Sequence, residues 1–289
     1  MYLPDFDYIA AATVVKASRL LGSLGPEAKL IAGGTDVLPM LKQGTLATKT
    51  LISINRLSEL KNISFEKGKG HIIGALATHN EVMKSPVLQE KYMSVCETAH
   101  RMANNQIRNI GTIGGNISNA VPSADFPPIL IALGATVTLQ NSSGSRTLPL
   151  EGFFMGPRQS VIAQDEILTE IVIPENGFSG STYHKFGLRR SGALAVVGVA
   201  VAVAMEGNIC KDACIVLGAV APTPMRAKEA EALLRGKEVS DALLEKAGKL
   251  AAAASNPITD IRGSEEYRRD MVRVFTRRCL RKAMDNGHV

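Results

Sequence analysis

Between Gln106 and Asp125 the chain carries Gly111, Gly114 and Gly115 interleaved with Thr112, Asn116, Ser118, Asn119 and Ser123. Glycine reaches φ > 0 without steric cost and lets an amide N–H approach an anion with no Cβ in the way. The stretch therefore suits a backbone wrapped around phosphate. Taken alone, Thr112-Ile113-Gly114-Gly115-Asn116 is more often a tight turn between two elements. A second glycine segment upstream changes that balance: the apolar run Leu30, Ile31, Ala32 ends in Gly33 and Gly34, then Thr35, Asp36 and Val37. This is the pattern of a strand feeding a ligand-facing loop, and two such loops in one domain form a clamp for a pyrophosphate. Neither segment is a Gly-x-Gly-x-x-Gly after a strand or a Gly-x-x-x-x-Gly-Lys-Ser/Thr, so the usual signals of a Rossmann fold and a P-loop are missing.

At 289 residues the chain has room for two domains with their own cores. The start lacks the charged-then-apolar pattern of a signal peptide, and the longest apolar run, 193–205, is too short and too rich in Ala, Gly and Val to span a bilayer. The expectation is a cytoplasmic protein without a membrane span. Four scattered cysteines, Cys96, Cys210, Cys214 and Cys279, fit a reducing compartment rather than a disulfide framework. The five histidines have no metal-ligand spacing, and Cys210-x-x-x-Cys214 lacks a second ligand pair, so no metal site is expected.

Periodicity predicts an extended entry over 2–8, a helix over 9–24 and a first core strand over 29–32. A short helix over 37–43, a strand over 49–54, a turn over 57–60 and a hairpin pairing 63–65 with 71–73 follow. Thr78 is placed to cap a helix over 78–84, and a long helix is expected over 89–103. Residues 126–133 read as a helix with prolines in its first turn and Gly134 past its end, and 136–140 and 167–173 as strands. The Pro/Gly-rich segment 174–180 is the best linker candidate, dividing the chain into domains 1–176 and 177–289. The second half reads as strands (181–187, 196–206, 212–220) and then helices (226–234, 240–254, 267–284), an α+β layer with helices on one face of an antiparallel sheet.

Several residues have two readings. Asp125 before Phe126-Pro127-Pro128 is a good N-cap, and capping is compatible with ligand contact. Lys185 on a strand is usually a solvated charge. The net charge of +6 is concentrated in the last helix, with Arg268, Arg269, Arg273, Arg277, Arg281 and Lys282 off a face made by Tyr267, Met271, Val274, Phe275, Cys279 and Ala283. A packed helix with a solvated basic face is commoner than a nucleic-acid surface, and no aromatic platform accompanies this one.

Read together, the opening Leu3 to Tyr8, the Ala32 to Asp36 loop, the Arg108 to Asn116 segment, Pro122 to Asp125, Arg189-Arg190 with Ala195 to Ala200, and Gly263 to Arg269 resemble the FAD-binding medium subunit of the xanthine dehydrogenase and carbon monoxide dehydrogenase family of molybdenum hydroxylases. The motifs occur in order over nearly the whole chain. The resemblance implies an α+β fold: a two-subdomain FAD-binding domain of the vanillyl-alcohol oxidase (PCMH) type, then a C-terminal antiparallel sheet with helices. It assigns Lys29, Leu30, Ile31, Ala32, Gly33, Gly34, Thr35, Asp36 and Val37 to a first FAD loop. Met102, Gly111, Thr112, Gly115, Asn116, Ser118, Asn119, Ala124 and Asp125 form a second segment, and Leu168 and Lys185 match positions at the flavin end. Met102 stands where xanthine dehydrogenases carry an aromatic ring, and a lysine at 185 would stabilise a reduced, anionic flavin.

The partners implied are an iron–sulfur small subunit and a molybdopterin large subunit, with NAD⁺ or another acceptor downstream. Two other readings remain open from the residues: an independent FAD oxidoreductase, and a basic binding module without a redox role.

Overall fold

The computed structural model describes residues 2–286, built on three main sheets. The first is small: Thr50–Ser53 lies between Asp7–Ala10 and Ala28–Ile31 and pairs in parallel with both, Ile52 facing Ile9 and Leu30. The helix Val14–Leu24 covers it, burying Val14, Ala17 and Leu21 with Ala28, Ile52 and Ile54. Thr13 caps that helix through Lys16 N. Ile9 and Ala10 thus belong to the strand, not to the expected 9–24 helix: their edge pairing with Thr50–Ser53 outweighs helical spacing, and the Thr13 cap sets the true start.

The second sheet is antiparallel throughout, in the order Ile63–Glu66, Gly70–Gly74, Ile167–Ile173, Thr136–Gln140, Ser145–Pro149. The expected hairpin is present, with Phe65 opposite His71. Thr78 caps His79–Lys84 in a reciprocal capping box with Glu81. The long helix expected over 89–103 is two helices, Pro86–Lys91 and Met93–His100. The break is at Tyr92 (φ −124°, ψ 52°), whose ring is buried edge-on to His71 at 4.8 Å and whose hydroxyl donates to Pro174 O at 3.3 Å. Seating that ring in the core takes precedence over unbroken helix.

The third sheet is antiparallel, Gly180–Phe186, Val197–Glu206, Ile209–Gly218 and Met225–Arg226, with Lys237–Glu238 on the far end of Ile209–Gly218. Helices were expected on one face; both faces are covered. Val197, Val199, Val201 and Val203 face the C-terminal helices Lys228–Leu234, Asp241–Ala254 and Glu265–Asn286, and Ala200 and Ala202 join the core of the first half. The near-continuous apolar strand follows from that two-sided burial. The helix Phe126–Ala132 forms the contact from the other side; a Cβ on Gly218 would stand 2.7 Å from Pro128 Cγ.

The basic stripe of the last helix is not a free face. Arg268, buried, donates to Asp260 and to the carbonyls of Val196 and Ala219. Arg269 pairs with Glu265, Arg273 with Glu245 and Asp270, Arg277 with Glu245, Arg281 with Asp241 and Lys282 with Glu97. Among the described residues no helix is long and apolar enough to cross a membrane.

The 106–125 stretch departs most from expectation. It is not a wrapped loop but two short helices, Asn105–Ile110 and Ile113–Ser118, capped by Asn104 and Thr112. None of its three glycines has positive φ. Gly114 serves close packing instead: its amide donates to Ala75 O at 2.9 Å, and a Cβ there would lie 2.6 Å from Ala75 Cβ and O. Gly114→Ala should therefore destabilise the chain by about 1–3 kcal/mol, read as a lowered denaturant midpoint; unchanged stability would show that this approach has slack.

Candidate functional site

The first glycine segment leaves the parallel strand at Ile31 and enters the helix Val37–Lys42. Ile31 is buried with Leu41 and Leu51, Leu30 and Val37 are half-buried against neighbouring clusters, and Lys29 is exposed on the strand. Ala32 also packs against the first of these clusters, so the part left open is Gly33, Gly34, Thr35 and Asp36. Gly34 turns the chain at φ 72°, the one glycine of the two segments in that region. The backbone N–H groups of Gly33, Gly34, Thr35 and Asp36 donate to no acceptor among the described residues. Successive unsatisfied amides of this kind form an anion-binding concavity.

The second segment lies directly against the first. A Cβ on Gly33 would fall 1.9 Å from Ile110 O and 3.2 Å from Gly111 Cα, so only glycine allows the two backbones to meet. Gly111 has His79 beneath it, and His79 N donates to Gly111 O at 3.0 Å. The first-turn amides of Ile113–Ser118 are already engaged: Ile113 N to Ala77 O, Gly114 N to Ala75 O and Gly115 N to the Thr112 hydroxyl. The second segment is thus helical rather than a wrapped loop; it keeps an unpartnered backbone N–H at Thr112 beside its side chains, while the first segment offers four such amides. Ser118 is exposed, Asn119 is half-exposed, and the Asn116 amide oxygen is buried without a partner.

Arg158, from the hairpin turn between Phe154–Gly156 and Gln159–Ser160, was not singled out in the sequence. Its Nη1 donates to Asn119 Oδ1 at 3.2 Å and contacts Met40 Sδ at 3.5 Å. Partial desolvation raises the Asp36 carboxyl above its usual range, and the Arg158 charge and Asn119 oppose that rise. Nothing in the local sequence marks Arg158, because its position depends on where the hairpin packs.

Asp125 and Lys185 form a second cluster. Asp125 occupies the N-cap position of Phe126–Ala132 but its side chain makes no cap bond. Its oxygens instead accept from Tyr183 Oη at 2.9 Å and Lys185 Nζ at 2.7 Å, and both Asp125 and Tyr183 are buried. Burial pushes the Asp125 carboxyl up, and the lysine and tyrosine pull it back. Burial, with the Asp125 charge beside it, keeps Tyr183 protonated as a donor. The Lys185 charge is thus matched by a carboxylate rather than standing free. Ala124 is buried just before this cluster, while Met102 and Leu168 pack inside the main core.

Under the Gly111 contact, His79 rests against Phe126 at 5.4 Å, and burial with the nearby Arg108 charge lowers its pKa to about 4. The folded ring is therefore neutral, while in the unfolded chain it takes a proton below about 6.5. Stability from this group is fully present above about pH 6.5 and is lost as pH falls toward 4. Thermal midpoints should fall across that window and fall less in His79→Leu; equal slopes would remove His79 as a cause.

A family model described as the FAD binding domain in molybdopterin dehydrogenase matches residues 4–176, and one described as the CO dehydrogenase flavoprotein C-terminal domain matches 181–283. The carbon monoxide dehydrogenase medium chain of Hydrogenophaga pseudoflava is 36% identical over 98% of both chains. A putative xanthine dehydrogenase FAD-binding subunit of Escherichia coli is 29% identical over 97% of both. A solved carbon monoxide dehydrogenase from Hydrogenophaga pseudoflava superposes with a TM-score of 0.95 at 36% identity, covering 99% of each chain. On these matches and the paired glycine segments, the chain belongs to the family of FAD-binding domains in molybdopterin dehydrogenases, with the CO dehydrogenase flavoprotein C-terminal domain joined to it.

Proposed function

We propose that this chain is the electron-transfer flavoprotein subunit of a molybdenum hydroxylase complex. The observation that carries the reading is the seam at Gly33, where four open amides lie beside the Ile110–Asn119 segment and an unpartnered Asn116 amide oxygen. A dinucleotide fits that donor set: the amides of Gly33, Gly34, Thr35 and Asp36 hold phosphate oxygens, and Asn116 takes a hydroxyl or N–H from the ligand. FAD bound there accepts electrons singly or in pairs, which suits it to stand between one-electron clusters and a two-electron acceptor.

The protein's own contribution is to bind and orient. Thr112 fixes the turn that presents Asn116 and Asn119, Gly33 sets the distance between the two segments, and the Tyr183–Asp125–Lys185 cluster ties the end of the second segment to the C-terminal sheet. Lys185, paired with Asp125, contributes a balanced rather than a net positive charge. In this reading an iron–sulfur small subunit delivers electrons drawn from substrate by a molybdopterin large subunit, and NAD⁺ or another acceptor removes them, in the cytoplasm. The relatives named above, a carbon monoxide dehydrogenase medium chain and a xanthine dehydrogenase FAD-binding subunit, support a medium-subunit role.

The tagged chain, recovered from its native host, should bring two further chains with it, one with iron–sulfur clusters and one with molybdopterin. The chain alone should release unmodified FAD on heat denaturation and oxidise no purine, aldehyde or aromatic substrate. A solitary chain that turns over such a substrate with flavin as its only cofactor would instead establish the independent oxidoreductase.

A further inference from the structure

Four neutral amides do not balance the charge of a pyrophosphate, and within Ala32–Val37 and Gly111–Asn119 the sole ionisable side chain is the acidic Asp36, while Arg108 just upstream is committed to Asn80 and the Met102 carbonyl. The nearby Arg158 is placed to supply what is missing. Its backbone has φ 60°, unfavourable for a residue with a Cβ, and its N–H donates to Ala120 O at 2.8 Å, Ala120 itself lying at φ 47°. Two residues in the left-handed region, bonded to one another, hold the hairpin turn against the end of the Ile113–Ser118 helix. Such conformations persist only where the surroundings over-determine them.

The side chain then lies between the end of the second segment and the helix that follows the first. Nη1 reaches Asn119 Oδ1 and the sulfur of Met40, which belongs to the helix leading out of the Gly33–Asp36 loop. No carboxylate forms an ion pair with Arg158 among the described residues, and its Nε and Nη2 donate to no protein acceptor there. An arginine held between Asn119 and the helix leading out of the Gly33–Asp36 loop, with most of its planar fork unused, matches the bidentate geometry of a phosphate.

We propose that Arg158 is the cation that binds the dinucleotide's pyrophosphate, bridging the two glycine segments across it. The proposal rests on the FAD reading above. It also gives Asp36 a place: the carboxylate beside the site is offset by the same guanidinium, so the local charge does not repel the ligand.

The test is titration of the flavin-stripped full chain with FAD, followed by flavin fluorescence, for wild type, Arg158→Gln and Arg158→Lys, with circular dichroism confirming the fold. Glutamine keeps a polar side chain and removes the charge, so FAD affinity should fall about tenfold or more; lysine keeps the charge without the bidentate fork and should recover part of the loss. Raising salt from about 0.05 to about 0.5 M should weaken wild type more than Arg158→Gln, because screening acts on the charge that is missing there. A folded glutamine variant with wild-type affinity would overturn the proposal, and so would equal losses in the glutamine and lysine variants. Should the glutamine variant not fold, salt-independent FAD binding in both wild type and Arg158→Lys would overturn it. Failure of wild type to bind FAD would instead strike the underlying reading, so the two failures are distinguishable.

Discussion

The architecture around the candidate site depends on backbone approaching backbone at Gly33. At that point the loop after the second strand of the small parallel sheet touches Ile110 and Gly111, and a Cβ 1.9 Å from a carbonyl oxygen has nowhere to go. The same kind of approach recurs one turn later, where Gly114 sits on Ala75. The Gly33 contact joins the small parallel sheet to the second segment, and the Gly114 contact holds that segment on the end of the Gly70–Gly74 strand, which is why a helical glycine-rich segment can lie against the Gly33–Asp36 loop. They divide the chemistry as well: the Ile113 and Gly114 amides of the second segment are consumed by the Ala77 and Ala75 carbonyls, while the Gly33–Asp36 amides have no acceptor among the described residues.

Behind the seam, the C-terminal half acts as more than an appended layer. Its sheet is buried on both faces, with odd-numbered valines of Val197–Glu206 against its own helices and even-numbered alanines against the first half. Small residues on the even face let the helix Phe126–Ala132 come close, and that helix begins at Asp125. Tyr183 and Lys185, from the adjoining strand, then hold Asp125 through two hydrogen bonds in a buried setting. Breaking one side of such a buried pair costs about 3–5 kcal/mol, so the end of the ligand-facing segment is tied energetically to the second half of the chain.

Much of this was legible in local sequence signals. Thr78 with Glu81, the Phe126-Pro127-Pro128 helix start, the Lys67 to Gly70 hairpin turn and the strand entering Gly33-Gly34 each carry their chemistry within a few residues. What was not legible depends on partners far along the chain. Tyr92 breaks a good helical pattern because its ring is needed beside His71, and Asp125 forgoes capping because Tyr183 and Lys185, 58 and 60 residues on, offer stronger partners. Glycines suited to φ > 0 are equally suited to close packing, so Gly111, Gly114 and Gly115 alone do not distinguish the two uses. Arg158 carries no motif, since its position follows from the fold of a hairpin onto Ala120. Several acidic partners of the basic last helix, Asp241 and Glu245 among them, lie on another helix and were not visible in its own sequence.

Hydrogen–deuterium exchange of the full chain with and without FAD tests the central claim most directly, because the two segments differ in whether their amides already have partners. FAD should strongly protect the Gly33–Asp36 amides, with the already bonded amides of Ile113, Gly114 and Gly115 changing much less. Protection confined to the Ile113–Ser118 helix, with none in the Gly33–Asp36 loop, would contradict it.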